Sequence, residues 1–155
     1  MQGIATLSSP PPFACEPHMR SGPLAAWFTS PPGAVVQFVE PALGTLELVN
    51  WLVGPAYAEL DRRAAGRRAL MLVLDFGLMT ARTNASRTLL LANARQSAHR
   101  FAEVIVVGSY SATRTQLTSL RAGMALVRAL GVKVSMAESA LEAVDRLRLR
   151  PSHCT

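Results

Sequence analysis

Apolar side chains fill six consecutive positions from Ala69 to Leu74, ahead of Asp75 and Phe76. A half-exposed strand would alternate, but this run is apolar on both faces. Both faces must therefore be covered, as in an interior strand of a helix-clad sheet. A second unbroken run, Val104 to Val107, follows after a segment of helix length. A strand–helix–strand unit of that kind is right-handed and parallel in nearly all cases. Asp75-Phe76-Gly77 and Gly108 to Ser111 should then finish on the same edge of the sheet, where ligands of open α/β sheets tend to sit. The pattern predicts an α/β fold organised around these two strands.

The flanking segments supply further elements. Ala25–Thr29 and Ala34–Val39 are β-prone runs joined by Ser30-Pro31-Pro32-Gly33, and Pro-Pro-Gly chemistry predicts an antiparallel hairpin. Leu43 to Ala65 has helical spacing, with Leu46, Val49, Trp51, Val53, Tyr57 and Leu60 on one broad face. Gly54-Pro55 should kink it. Arg62, Arg63, Arg67 and Arg68 suit its C-terminal end, which is preferred to a nucleic-acid patch. Thr83 or Asn84 should cap the crossover helix, whose packing face of Leu90, Ala94, Ser97 and Phe101 is narrow. A third helix from about Ala112 to Leu130 carries Leu117, Leu120, Met124 and Val127 as its buried stripe and stops at Gly131. A short strand, Val132 to Val134, leads to Ser135-Met136-Ala137-Glu138, which has the form of a capping box. The last helix should pack through Leu141, Val144 and Leu147, with Glu142 and Arg146 paired, and should close at Pro151. The tail 151–155 is expected to fray.

Residues 1–33 hold seven of the ten prolines and only two charged side chains, Glu16 and Arg20. Prolines interrupt every candidate signal-peptide stretch, so 1–23 is expected to be a disordered, Pro-rich leader ahead of a domain at 24–150. A sharper alternative starts translation at Met19. The chain of 155 residues is one domain's worth, and no apolar run approaches membrane-spanning length. Cys15 and Cys154 lie near opposite ends without a ligand pattern, so neither a disulfide framework nor a zinc site is expected and a cytoplasmic location is the default. Net charge is +6, and Lys133 is the one lysine among sixteen basic residues. Arg114, Arg121 and Arg128 recur every seven residues along the third helix. Three phosphate contacts would give a log–log salt slope of roughly −2.7 on duplex DNA. That is too few for a dedicated DNA binder, and a solvated outer face is the preferred reading.

Leu70-Met71-Leu72-Val73-Leu74-Asp75, Ala102 to Gly108, and the closing strand with Ala140 to Leu147 resemble the STAS family and its SpoIIAA-like branch, the anti-sigma-factor antagonists and their relatives. The resemblance covers about Leu24 to Leu149. It implies a four- to five-stranded mixed sheet with about four helices, and a small, non-catalytic bacterial module that binds signalling proteins. The family's switch is a serine in an Asp-Ser-(Ser/Thr)-Gly loop at the start of the second helix. The matching positions here are Thr83, Asn84, Ala85 and Ser86, so Asn84 stands where that serine would be. Thr80, Thr83 and Ser86 are other hydroxyls of this loop, and a cap is the plainer role for each.

No nucleophile–base pair follows from the spacing of His18, His99 and His153, and nucleotide-binding glycine motifs are missing. The chain is expected to be no enzyme, with no cofactor and no metal. The main expectation is a regulatory module that docks an unidentified protein through a rim of Asp75, Phe76, Thr80, Thr83, Asn84, Ser86, Ser109 and Ser111. A second is a small-molecule or lipid carrier of the SpoIIAA-like type, with an apolar pocket beneath the kinked first helix. A third is weak nucleic-acid binding through the arginine stripe, with no specific sequence. Homodimerisation through the outer strand of the hairpin is also open, because edge strands invite pairing.

Overall fold

Two strands that are apolar on both faces sit at the middle of the sheet, where the sequence pattern requires them. The computed structural model describes residues 9–108 and 114–153. β1 (Met19–Ser21), β2 (Leu24–Ser30) and β3 (Gly33–Phe38) form an antiparallel meander. A short β4 (Ala42–Gly44) precedes α1 (Leu46–Trp51), a π-helical turn at Leu52–Ala56, and α2 (Tyr57–Ala64). Then come β5 (Leu70–Asp75), β6 (Met79–Arg82), α3 (Asn84–Ser97), β7 (Phe101–Val107), α4 (Arg114–Ala129), β8 (Lys133–Ala137), α5 (Ala140–Leu147) and β9 (Arg150–Pro151). The main sheet has the order β1-β2-β3-β5-β7-β8, with β9 on β2. A separate ribbon pairs β4 with β6. β3, β5, β7 and β8 are mutually parallel.

Register explains the two-sided burial. Leu72 lies beside Val104 and Leu74 beside Val106, facing α1 to α4. Val73 lies beside Ile105 and faces α5. Val73 and Ile105 are completely buried. Each such side chain contributes about 1.5–3 kcal/mol. Close approach of β3 to β5 requires Gly33, where a Cβ would stand 2.3 Å from the Met71 carbonyl oxygen.

The kink around Pro55 takes the form of the π-helical turn, which holds one residue more per turn and shifts the phase between α1 and α2. The buried side chains are consequently Leu52, Ala56, Tyr57, Leu60 and Ala64, whereas Leu46 is exposed and Val53 only partly covered. Leu43 belongs to β4, not to the helix. Arg62 and Arg63 both bind Glu59, consistent with a helix-end role, and hold its carboxyl at about 2, below the usual range.

Several local expectations change. Ser135 lies in β8, and the cap of α5 is Ser139, whose Oγ accepts from the Glu142 N–H at 3.1 Å. The Glu142 carboxylate in turn accepts from the Glu138 N–H and from Arg146, which lowers its pKa. Both Ser135-x-x-Glu138 and Ser139-x-x-Glu142 fit the capping pattern, and pairing of β8 with β7 claims the first serine for the sheet. Ala140 and Ala143 face the core while Leu141 is exposed.

The described segments nearest the two ends of the chain are held down. β1 and β9 cover the outer edge of β2, so the hairpin offers no free edge there. The His18 ring accepts from the Phe28 N–H through Nδ1 and donates through Nε2 to the Ser152 carbonyl, and the Ser152 N–H donates to the Phe28 carbonyl. These contacts bring His18 and Ser152 together, a closeness that sequence separation does not reveal. Cys15 is disulfide-bonded, contrary to the expectation of unlinked cysteines. Cys154 lies outside the described residues.

Ser139→Ala should cost about 1 kcal/mol of stability through loss of the cap, whereas Ser135→Ala should stay within about 0.5 kcal/mol. Chemical denaturation of both variants checks this; equal costs would contradict the assignment of the cap.

Candidate ligand cavity and the carboxyl-end rim

The expected rim separates into a buried polar node and the mouth of a cavity. Asp75 is 1% exposed. Its Oδ2 accepts from Ser9 Oγ at 2.8 Å and from Gln37 Nε2 at 2.9 Å, and its Oδ1 accepts from the Gly77 N–H at 2.8 Å. Gln37 is opposite Asp75 in the parallel register of β3 and β5, which fixes that contact. Gln37 Nε2 also reaches Ser9 Oγ and the Pro10 carbonyl. Gln37 Oε1 is buried without a partner among the described residues. Such an orphan acceptor costs about 1–3 kcal/mol.

The segment expected to be a loose leader therefore closes this node from residue 9 onward. Phe13 packs against the Val35–Val73–Ile105 cluster, and Trp27 Nε1 donates to the Cys15 carbonyl at 3.0 Å. These interactions are long-range in sequence, so proline content alone misrepresents the segment.

Thr83 caps α3: its Oγ1 accepts from the Ser86 N–H at 3.1 Å, and the buried Ser86 hydroxyl donates to the Thr83 carbonyl at 2.8 Å. Asn84 and Thr80 are exposed. Phe76 is partly buried, meets Phe38 edge-on at 6.3 Å between ring centres, and faces the cavity described next. Ser109 and Ser111 lie outside the described residues. Of the arginine stripe, Arg121 is exposed, while Arg128 donates from Nε to the Val134 carbonyl at 2.9 Å, tying α4 to β8. Nothing can be placed for the Arg114 side chain, which lies outside the described atoms. Among the described residues no cluster of His, Cys, Asp and Glu could hold a metal, and no helix is long and apolar enough to cross a membrane.

A cavity of about 120 Å³ lies between the sheet and helices α3 and α4. Leu72, Leu74, Val104, Val106 and Val134 make its floor, and Leu90, Leu91, Ala94, Leu120, Met124 and Val127 its walls. Tyr57 and Phe101, whose ring centres are 5.6 Å apart, close the end where β5 and β7 begin. Burial raises the Tyr57 phenol far above its ordinary value. Phe76, Arg82 and Arg87 stand at the end where β5 finishes. The cause is visible in α3, which buries only two serines, Ser86 and Ser97. Its sheet-facing side chains are too few and too small to fill the gap, and Gly123 on the facing helix adds none. The pocket expected beneath the kinked helix also exists, but it is smaller, about 40 Å³. Phe76, Arg82, Arg87 and Leu90 line both. Sequence reading identified α3's narrow face but not its consequence, because an unfilled volume depends on two helices and three strands at once.

No protein-family model matches the chain, and no curated protein is significantly similar to it. Among solved structures it is similar to the crystal structure of an uncharacterised DUF3478-family protein with a SpoIIAA-like fold from Shewanella loihica PV-4. The TM-score is 0.55 at 13% sequence identity, over 80% of this chain and 91% of that one. The chain has a SpoIIAA-like fold, as the family resemblance implied.

Deleting residues 1–18 should destabilise the protein by about 3 kcal/mol or more, through loss of the Phe13 packing, the Ser9, Pro10, Cys15 and His18 hydrogen bonds and the Cys15 disulfide. An unchanged denaturation midpoint would show that the segment carries no stability.

Proposed function

We propose that this chain, a SpoIIAA-like fold, is a non-catalytic binding module whose cavity between α3, α4 and the sheet takes a small apolar ligand. The cavity carries the reading: its floor and most of its walls are apolar, with Arg82 and Arg87 at one end and Tyr57, Asn93 and Ser97 as the other polar lining residues. Ligand sites commonly have this composition. Its size sets the scale of the occupant, since a dry engineered cavity of about 150 Å³ accepts benzene. The buried state of Asp75, the backbone-bound His18 and the exposed position of His99 support the absence of catalysis.

A second reading, docking of a regulatory protein, is favoured by Leu126 and Leu130. They lie four residues apart along α4 and its C-terminal end and are 50% and 44% exposed. In that reading the family's serine position carries no switch: Asn84 has no hydroxyl, and those of Thr83 and Ser86 are occupied within the cap, while the exposed Thr80 lies outside it in β6.

Saturating toluene should raise the melting temperature of the wild-type protein and leave that of Ala94→Leu, which fills the cavity from α3, unchanged. Absence of any wild-type shift would remove the cavity reading. For the second reading, a tagged wild-type chain should retain a stoichiometric protein partner that an equally stable Leu126→Glu/Leu130→Glu chain loses; equal retention by both would count against it.

A further inference from the structure

We propose that the cavity's ligand is a neutral, single-ring molecule bearing one carbonyl group, its ring between α3, α4 and the sheet and its carbonyl oxygen on the Tyr57 hydroxyl. The proposal rests on the cavity reading above and adds to it the class of ligand.

The π-helical turn brings Tyr57 inward at the start of α2, where it is 5% exposed and lines the cavity. The Phe101 ring, centred 5.6 Å away and tilted by 58°, holds its aromatic body near the amino ends of β5 and β7. The hydroxyl, however, hydrogen-bonds to none of the described residues. Polar tips of buried tyrosines normally have a partner. Among the described residues Gln37 Oε1 alone is both sealed and unpartnered, so the Tyr57 hydroxyl borders open volume. The volume beside it is the cavity.

The other polar lining groups narrow what that hydroxyl can receive. Ser97 is buried, and its hydroxyl is already engaged, donating to Asn93 Oδ1 at 3.2 Å. With that oxygen occupied, the Asn93 amide has N–H groups to offer. Both residues belong to the C-terminal half of α3, which leads through the turn Ala98–Arg100 to Phe101, so they stand on the Tyr57 side. Burial keeps the Tyr57 phenol protonated at neutral pH, as a donor. A donor among apolar walls calls for a neutral acceptor, because a charge there would lose its hydration. A carbonyl oxygen meets that requirement. Size limits the rest: about 120 Å³ is somewhat less than the roughly 150 Å³ that accepts benzene, which leaves space for one ring.

Cyclohexanone and methylenecyclohexane, which share ring and shape and differ in the carbonyl oxygen, test the assignment on the full-length protein. Both should raise the melting temperature of the wild type, and neither should raise that of Ala94→Leu. Tyr57→Phe removes one hydroxyl and keeps the ring beside Phe101. In calorimetric titration it should weaken cyclohexanone roughly tenfold and leave methylenecyclohexane unweakened. The carbonyl stretch of bound cyclohexanone should also lie at lower frequency in the wild type than in Tyr57→Phe. Equal effects of Tyr57→Phe on the two probes, or binding of the hydrocarbon alone, would overturn the carbonyl assignment and leave the cavity reading standing. Failure of both probes to bind would also overturn the assignment, and with no toluene shift the cavity reading would fall too. Ketone binding that survives Ala94→Leu would place the ketone outside the cavity and overturn the proposal.

Discussion

The structure depends on keeping water from both faces of β5 and β7. Apart from Asp75 at the end of β5, their buried side chains are apolar on both faces, so neither strand could serve at an exposed surface. Helices α1 to α4 cover one face; α5 and the segment around Phe13 cover the other. The parallel pairing follows from the same constraint, because only a helical crossover can return the chain to the same end of the sheet while covering it. Removing either cover would expose side chains worth about 1.5–3 kcal/mol each, a large fraction of a domain's net stability.

Cover is not equally dense everywhere. On the α5 face, small buried residues, Ala140 and Ala143, let the helix lie close to the sheet. On the other face α3 presents Leu90, Ala94 and Ser97, and α4 interrupts its own apolar stripe with Gly123. The gap between them is the cavity. Cores are normally packed to crystal-like density, and an unfilled apolar volume loses dispersion contacts.

Polar burial at the carboxyl end makes a different arrangement. Asp75 ends the most apolar strand of the chain and is sealed by groups from β3, from the turn after β5 and from residue 9. A carboxylate in that position depends on its donors, since burial without hydrogen bonds is costly. This explains why a Pro-rich segment with few charges packs in order: its role is to cover Asp75, Gln37 and the apolar surface around Phe13. It also explains why the described residues of the expected rim differ in exposure. Asp75 and Ser86 point inward, while Thr80 and Asn84 point to solvent.

Local pattern alone determined the α/β class, the central parallel strands, the hairpin across Ser30–Gly33, the break at Pro55, a cap at Thr83 or Asn84 and the Glu142–Arg146 pair. Each of these arises from side chains close together in sequence, or from apolarity that demands cover whatever supplies it. Tertiary structure decided the rest. It chose Ser139 over Ser135 as the cap because β7 recruited Ser135 into the sheet, and it rotated the α2 face through the π-helical turn. It packed residues 9–23 of the expected leader, brought His18 and Ser152 together across β2, and left a cavity between α3, α4 and the sheet. Those outcomes depend on distances between segments far apart along the chain, and such distances exist only once the sheet has brought the segments together.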